Sequence, residues 1–65
     1  MKITLNGVPR DVVAERLDKL LVELGFGEAK VATAVNEEFV PAARRAEAII
    51  ADGDRLEVVA PQQGG

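Results

Sequence analysis

The residues best placed to do chemistry in this sequence are its last two, Gly64 and Gly65. The 65-residue chain contains no Cys, His, Ser, Tyr or Trp, and these include most of the side chains that act as nucleophiles, general bases or metal ligands. A terminal carboxylate can instead be carried into the site of a second protein, and glycines before it permit close approach of the backbone. We therefore expect a protein that enzymes act upon, with no bound cofactor or metal.

A terminal carboxylate becomes reactive only after activation, because a carboxylate is a poor electrophile. A mixed anhydride with AMP, formed from ATP, supplies a good leaving group. A sulfur nucleophile can then displace the AMP and leave a thiocarboxylate, while partner enzymes supply the metal, the base and the thiol. The alternative is a frayed terminus without a task, and the Gly64-Gly65 pair alone does not separate the two.

The composition bounds the rest of the molecule. Hydrophobic residues make up 48% of the chain, which is typical of a globular protein, and the length allows one small domain. We assign this domain to residues 1–60 and expect residues 61–65, which have no apolar anchor, to form a flexible tail. The net charge of −3 disfavours nucleic acid and anionic membranes as partners. With no Cys and no secretion signal, the cytoplasm is the expected compartment.

The first elements read as a β-hairpin. Lys2–Leu5 alternates polar and apolar residues, the pattern of a half-buried strand. Asn6-Gly7 follows, and this pair is the strongest two-residue hairpin signal, because both central positions of a type I′ turn need positive φ. The return strand is predicted at residues 8–12. Pro9 lacks an N–H, so this strand is predicted at a sheet edge.

A helix is predicted next, at residues 16–24. Asp11 is a candidate cap for it, and Gly25 is expected to end it in the left-handed conformation. Its predicted core-facing stripe has helical spacing and consists of Val13, Leu17, Leu20, Leu21 and Leu24.

The second half of the chain alternates strands and turns. A central strand is predicted at 31–35, a short strand at 39–40 and a last strand at 55–60. The polar segments 36–38 and 52–54 are predicted turns. These elements predict an α+β fold, with one main helix across one face of a mixed sheet of four to five strands.

Five stretches of the sequence are weak signals singly but specific in their order and spacing. They are Met1-Lys2-Ile3-Thr4-Leu5-Asn6-Gly7, Leu20-Leu21-Val22-Glu23-Leu24-Gly25, Ala34-Val35-Asn36-Glu37-Glu38-Phe39-Val40-Pro41, Asp52-Gly53-Asp54 and Gly64-Gly65. On these stretches the whole chain resembles the ThiS family of small sulfur carriers, within the ubiquitin-like β-grasp group. The resemblance implies a β-grasp fold with a mobile Gly-Gly tail, Gly65 as the adenylated and thiocarboxylated residue, and Gly64 and Gln63 as tail residues inserted into a partner.

The resemblance also implies partners in the thiazole branch of thiamine biosynthesis. A ThiF-like adenylyltransferase would activate Gly65 with Mg-ATP, a cysteine desulfurase or rhodanese-type protein would deliver sulfur, and a ThiG-like thiazole synthase would accept it. Residues 42–51 have the propensity of a helix, but family members usually have none at 42–50, so we predict a turn or a short 3₁₀ helix. The pair Arg44-Arg45 reads as solvated loop charge, with a small basic patch as the alternative.

Other functions stay open at this level. The chain could serve a molybdopterin or another thiocarboxylate pathway, act as a β-grasp interaction module, or be joined to lysines as a protein modifier. The sheet face opposite the helix is a candidate docking surface, and the residues predicted on it are Thr4, Ala32, Ala34, Glu57 and Val59.

Overall fold

Five strands and one α-helix are formed within residues 1–60, the part of the chain that the computed structural model describes. The elements in chain order are β1 (Lys2–Leu5), β2 (Val8–Asp11), α1 (Leu17–Glu23), β3 (Ala32–Val35), β4 (Glu38–Val40), a 3₁₀ helix (Ala42–Arg44) and β5 (Arg55–Val59). The sheet order is β2-β1-β5-β3-β4. The β1 and β5 strands are parallel and the other neighbours antiparallel. The predicted α+β class is confirmed, with five strands; the predicted tail lies outside the described residues.

Both hairpins turn on two residues with positive φ. Asn6 has a φ of 50° and Gly7 of 85°, as the type I′ prediction requires, and β2 is an edge strand with Pro9 opposite Thr4. The turn between β3 and β4 has its positive φ values at positions 36 and 37. Glu38, predicted in this turn, is the first residue of β4, because a two-residue turn leaves it paired with Val35.

The helix α1 is shorter than the prediction by one residue at each end. The prediction that Asp11 caps it is wrong, because the first helical N–H groups find partners far away in the sequence. The Leu17 N–H donates to the Ala48 carbonyl at 2.9 Å, and the Asp18 N–H donates to the Arg45 carbonyl at 3.2 Å. These bonds satisfy donors that a capping side chain would otherwise serve. Packing of the 45–50 segment therefore sets the start of the helix.

The core lies between α1 and one face of the sheet. Gly25 has a φ of 96° and ends the helix as predicted. Val13, predicted on the core-facing stripe, is 86% exposed, because the helix begins only at Leu17. Within residues 1–60 no helix is long and apolar enough to cross a bilayer. The buried hydrophobic cluster consists of Ile3, Val12, Leu17, Leu20, Leu21, Ile50, Leu56 and Val58.

A polar contact joins the 3₁₀ segment to the sheet. Thr33 is 1% exposed, and its hydroxyl donates to the Val40 carbonyl at 2.8 Å. The Arg45 Nε donates to the Thr33 Oγ1 at 3.2 Å, and its Nη2 donates to the Val31 carbonyl. The prediction of solvated loop charge is therefore wrong for Arg45, which is half-buried and structural, while Arg44 is exposed.

The start of α1 carries a side-chain pair that links stability to pH. The Arg16 guanidinium donates from Nε to Asp18 Oδ1 at 3.0 Å and from Nη2 to Oδ2 at 2.9 Å. These hydrogen bonds are the main cause that holds the pKa of Asp18 below its ordinary value, against a smaller opposing effect of desolvation. They also raise the pKa of Arg16. The two side chains are 47% and 33% exposed, and solvent screening at that exposure keeps the contribution of the pair to stability small.

A carboxyl whose pKa is lower in the folded state stabilises the fold above its unfolded pKa, here about 3.9, and that stability is lost as pH falls through the folded pKa. When the pH is lowered from about 5 to about 2, we expect the melting temperature of Asp18→Asn to fall by less than that of the wild type. Asp11→Asn, which removes an exposed carboxylate 3.9 Å from the Lys2 Nζ, is the control. If the melting temperatures of wild type and Asp18→Asn fell equally on acidification, the lowered pKa of Asp18 in the folded state would be contradicted.

Candidate functional site

The end of β5 is where the described structure leads into the predicted site. Gln63, Gly64 and Gly65, the residues predicted to act, lie outside the described residues. Ala60 is the last described residue, and Val59 before it is 60% exposed. The part of the predicted site that the structure describes is therefore β5, the strand that precedes residues 61–65, together with the surface beside it.

The β5 strand lies in the middle of the sheet but is supported unequally by its neighbours. On one side it pairs with β3 at four positions, from Leu56 to Val59. On the other side it pairs with β1 only at Arg55 and Leu56, because β1 ends at Leu5. The last part of β5 thus has a strand partner on one side alone.

Two asparagines from the hairpin turns complete the hydrogen bonding of β5. Near its end, the Asn6 Nδ2 donates to the Val58 carbonyl at 3.1 Å, and the Val58 N–H donates to the Asn6 Oδ1 at 2.9 Å. At its start, the Arg55 N–H donates to the Asn36 Oδ1 at 3.0 Å, and the Asn36 Nδ2 donates to Asp54 Oδ1 at 3.0 Å. Each hairpin turn therefore also supplies a side chain that hydrogen-bonds to the main chain of β5.

The sheet face opposite α1 is open, as predicted. Its residues alternate along the strands with buried ones, so that Ala32 and Glu57 are exposed while Thr33 and Leu56 face the core. Across the sheet, Ala32 lies opposite Val59, and residues in such pairs share a face. The predicted set of Thr4, Ala32, Ala34, Glu57 and Val59 is therefore confirmed on one surface, which we call the open face.

The sequence interpretation missed an aromatic residue on the open face. Phe39 is 68% exposed and lies opposite Ala34 in the register of β3 and β4. The sequence could have predicted this position of Phe39. A two-residue turn at positions 36 and 37 pairs residue 34 with residue 39, and Ala34 is predicted on this face. Exposed aromatic side chains are favoured anchors in interfaces.

Charged side chains of both signs lie on the open face and at its edges. The Arg55 Nη1 lies 3.9 Å from the Glu37 Oε2, and the Lys2 Nζ lies 3.9 Å from the Asp11 Oδ1. All four side chains are more than half exposed, so these pairs are weakly held. The open face thus carries small side chains, Val59, one exposed ring and charged groups that include Glu57, an arrangement suited to docking against another protein.

Comparison with known proteins places these features in a family. The sequence model of the ThiS family matches residues 3–65. The chain is 38% identical over 63 residues to the sulfur carrier protein ThiS of Thermus thermophilus, and the alignment covers 97% of this chain and 98% of that protein. It is 42% identical over 66 residues to a thiazole synthase of Paramagnetospirillum magneticum, where all of this chain spans 20% of that protein's length.

Solved structures agree with the fold. The crystal structure of the thiamine biosynthesis protein ThiS from Geobacter metallireducens has a TM-score of 0.85 at 30% sequence identity, with all of both chains covered. An NMR structure of a thiamine biosynthesis protein from the same organism has a TM-score of 0.78 at 26% identity and covers 100% of this chain and 88% of that one. The ubiquitin-like β-grasp fold implied by the sequence is thereby confirmed.

Proposed function

The chain belongs to the ThiS family of sulfur carriers in thiamine biosynthesis, and we propose that it carries sulfur as a thiocarboxylate on Gly65. The observation that carries this proposal is the extent of the family match, which runs from residue 3 to residue 65. The match thus includes both the β-grasp domain and the Gly64-Gly65 pair. A sulfur carrier needs no catalytic side chains, and the sequence has few to offer.

The first proposed step is activation of the terminal carboxylate by a ThiF-like adenylyltransferase with Mg-ATP. A carboxylate oxygen of Gly65 bonds to the α-phosphorus of ATP, and the bond from that phosphorus to pyrophosphate breaks. The products are the acyl-adenylate of Gly65 and pyrophosphate. This chain contributes an end that is narrow enough to reach the α-phosphate, because Gly64 and Gly65 have no side chains that would hinder its entry into the activating site.

The second proposed step exchanges oxygen for sulfur. A sulfur nucleophile bonds to the Gly65 carbonyl carbon, and the bond from that carbon to AMP breaks. With hydrosulfide as the nucleophile, the thiocarboxylate, AMP and a proton are the products. In the cell the proposed source is the persulfide of a cysteine desulfurase or a rhodanese-type protein. Its outer sulfur bonds to the carbonyl carbon as AMP leaves, and a second thiol then cleaves the resulting acyl disulfide to give the thiocarboxylate and a disulfide.

The proposed acceptor of the sulfur is a ThiG-like thiazole synthase. Support comes from the Paramagnetospirillum magneticum relative, which is named a thiazole synthase and has a segment 42% identical to this chain along its whole length. A carrier sequence and a synthase joined in one polypeptide act on one another without diffusing apart. The separate chain described here would reach the same acceptor by docking, and the open face with Phe39 is the surface we assign to it.

Intact mass measurement tests the proposal. The chain is incubated with a ThiF-like adenylyltransferase, Mg-ATP and hydrosulfide and is then weighed. We expect a gain equal to the difference between one sulfur and one oxygen atom, and no gain when ATP is left out. A chain lacking Gly65 is the matched control, because residues 1–60 that form its fold are unchanged.

Two outcomes would overturn the proposal. A mass unchanged with every adenylyltransferase and sulfur source tried would favour a β-grasp interaction module. A product in which the chain is joined through Gly65 to a lysine of another protein would instead indicate a modifier.

A further inference from the structure

The bond pattern at the end of β5 points to a role for Asn6 that the turn alone does not require. Within a strand, successive residues direct their N–H and C=O groups to opposite sides. The N–H and C=O of Val58 both face the side on which β1 has already ended, and both bond to the side chain of Asn6. The side-chain amide offers a donor and an acceptor side by side, and it acts here as one more peptide group of β1.

Val58 is a position where these bonds matter. It is 6% exposed and belongs to the core cluster, and its partner across the sheet is Thr33 on β3. Main-chain groups at a buried position need partners if the strand is to hold its place. Only Val59 and Ala60 separate Val58 from residue 61, and the Asn6 bonds are the last side-chain hydrogen bonds on β5 that the described structure shows.

We propose that Asn6 is a positioning residue for the C-terminal tail, because it fixes the end of β5 and so sets the point from which Gly65 must reach the activating site. This inference rests on the proposed function. If the two Asn6 bonds are lost, the main chain after Val58 is less firmly fixed, and about one more residue must be ordered when the tail enters a partner. Ordering one backbone residue costs about tenfold in affinity.

The sequence offers a matched pair of variants. Asn6 and Asn36 both have a φ of 50°, and glycine tolerates that conformation, so Asn6→Gly and Asn36→Gly both preserve their turns. Each removes two side-chain hydrogen bonds. Asn6 serves the end of β5 beside the tail, whereas Asn36 serves its start. Asn6 makes both of its bonds to the main chain of β5, whereas Asn36 makes one to β5 and one to the Asp54 side chain. The two variants thus compare the loss of two side-chain hydrogen bonds at opposite ends of the strand.

Two measurements are made on wild type and both variants: backbone amide relaxation of Val59 and Ala60 by NMR, and steady-state adenylation of the carrier by a ThiF-like adenylyltransferase. For Asn6→Gly we expect greater mobility of both amides and a KM for the carrier raised by about tenfold, with kcat changed by less than about twofold. For Asn36→Gly we expect neither change. Asn6→Asp, which keeps the oxygen that accepts from the Val58 N–H, is expected to recover part of the effect.

The outcomes separate this inference from the function on which it rests. A wild-type KM for Asn6→Gly, or the same rise in KM for both variants at similar melting temperatures, would refute the positioning role. Wild-type protein that no adenylyltransferase activates would refute the proposed function instead. In that case the relaxation data alone decide, and unchanged mobility of Val59 and Ala60 in Asn6→Gly would show that Asn6 does not fix the end of β5.

Discussion

Replacing Gly64 by Val is expected to leave the fold intact and to slow thiocarboxylate formation by about a hundredfold or more. The branched side chain sits one residue from the carboxylate that must reach the α-phosphate of ATP, and a misplacement of about 1 Å costs about a hundredfold in rate. The free energy of unfolding should change by less than about 0.5 kcal/mol, because the buried cluster of the described structure is formed by residues between Ile3 and Val58. Intact mass after timed incubation gives the rate, and thermal melting checks the fold.

The matched control is Gln62→Val, which adds the same side chain two residues further from the carboxylate. We expect it to be charged at a rate close to that of the wild type. If Gly64→Val is charged as fast as Gln62→Val, the requirement for a slim chain end is wrong, and the glycine pair has no steric role.

The largest effect on stability is expected for Leu20→Ala. Leu20 is 0% exposed in the core cluster that joins α1 to the sheet. Removing a buried leucine side chain costs about 3 kcal/mol, and a domain of this size has a margin of only about 3–5 kcal/mol. The variant should therefore be largely unfolded, or close to it, in chemical denaturation followed by far-ultraviolet circular dichroism.

The control for this prediction lies on the same helix. Val22 is 61% exposed, and Val22→Ala should change the free energy of unfolding by less than about 0.5 kcal/mol. Similar losses for the two variants would mean that α1 contributes through its intrinsic helicity and not through the face it buries on the sheet.

The elements that short-range rules govern were predicted well from the sequence. The Asn6-Gly7 turn, the edge position of β2 and the Gly25 helix end each follow from the conformational demands of one or two residues. The face assignment of β5 followed from alternation alone, since Leu56 and Val58 are buried while Glu57 and Val59 are exposed.

The features that depend on distant partners were not predictable in this way. The start of α1 is set by carbonyl groups of Arg45 and Ala48, more than twenty-five residues away in the sequence, whereas local capping rules point to Asp11. The hydrogen bond from Arg45 to Thr33 likewise joins distant parts of the sequence. No local pattern places β5 between β1 and β3, because strand order depends on pairing between the two ends of the chain.

The residues of the candidate site also differ in whether local sequence patterns predict them. Gly64 and Gly65 are predicted as the reactive end from the sequence alone, because the terminal glycine pair and the family resemblance both indicate it. Phe39 could have been placed on the open face from the register of a two-residue turn. The bonds from Asn6 to Val58 could not, since they join positions 52 residues apart.

The most direct test of the account is to locate the transferred sulfur within the molecule. After activation with Mg-ATP and hydrosulfide, the charged protein is fragmented in the mass spectrometer and the fragment that carries the mass gain is identified. We expect the gain to reside on Gly65 and on no other residue. A gain on any fragment that lacks Gly65 would contradict the claim that this protein works through its terminal carboxylate.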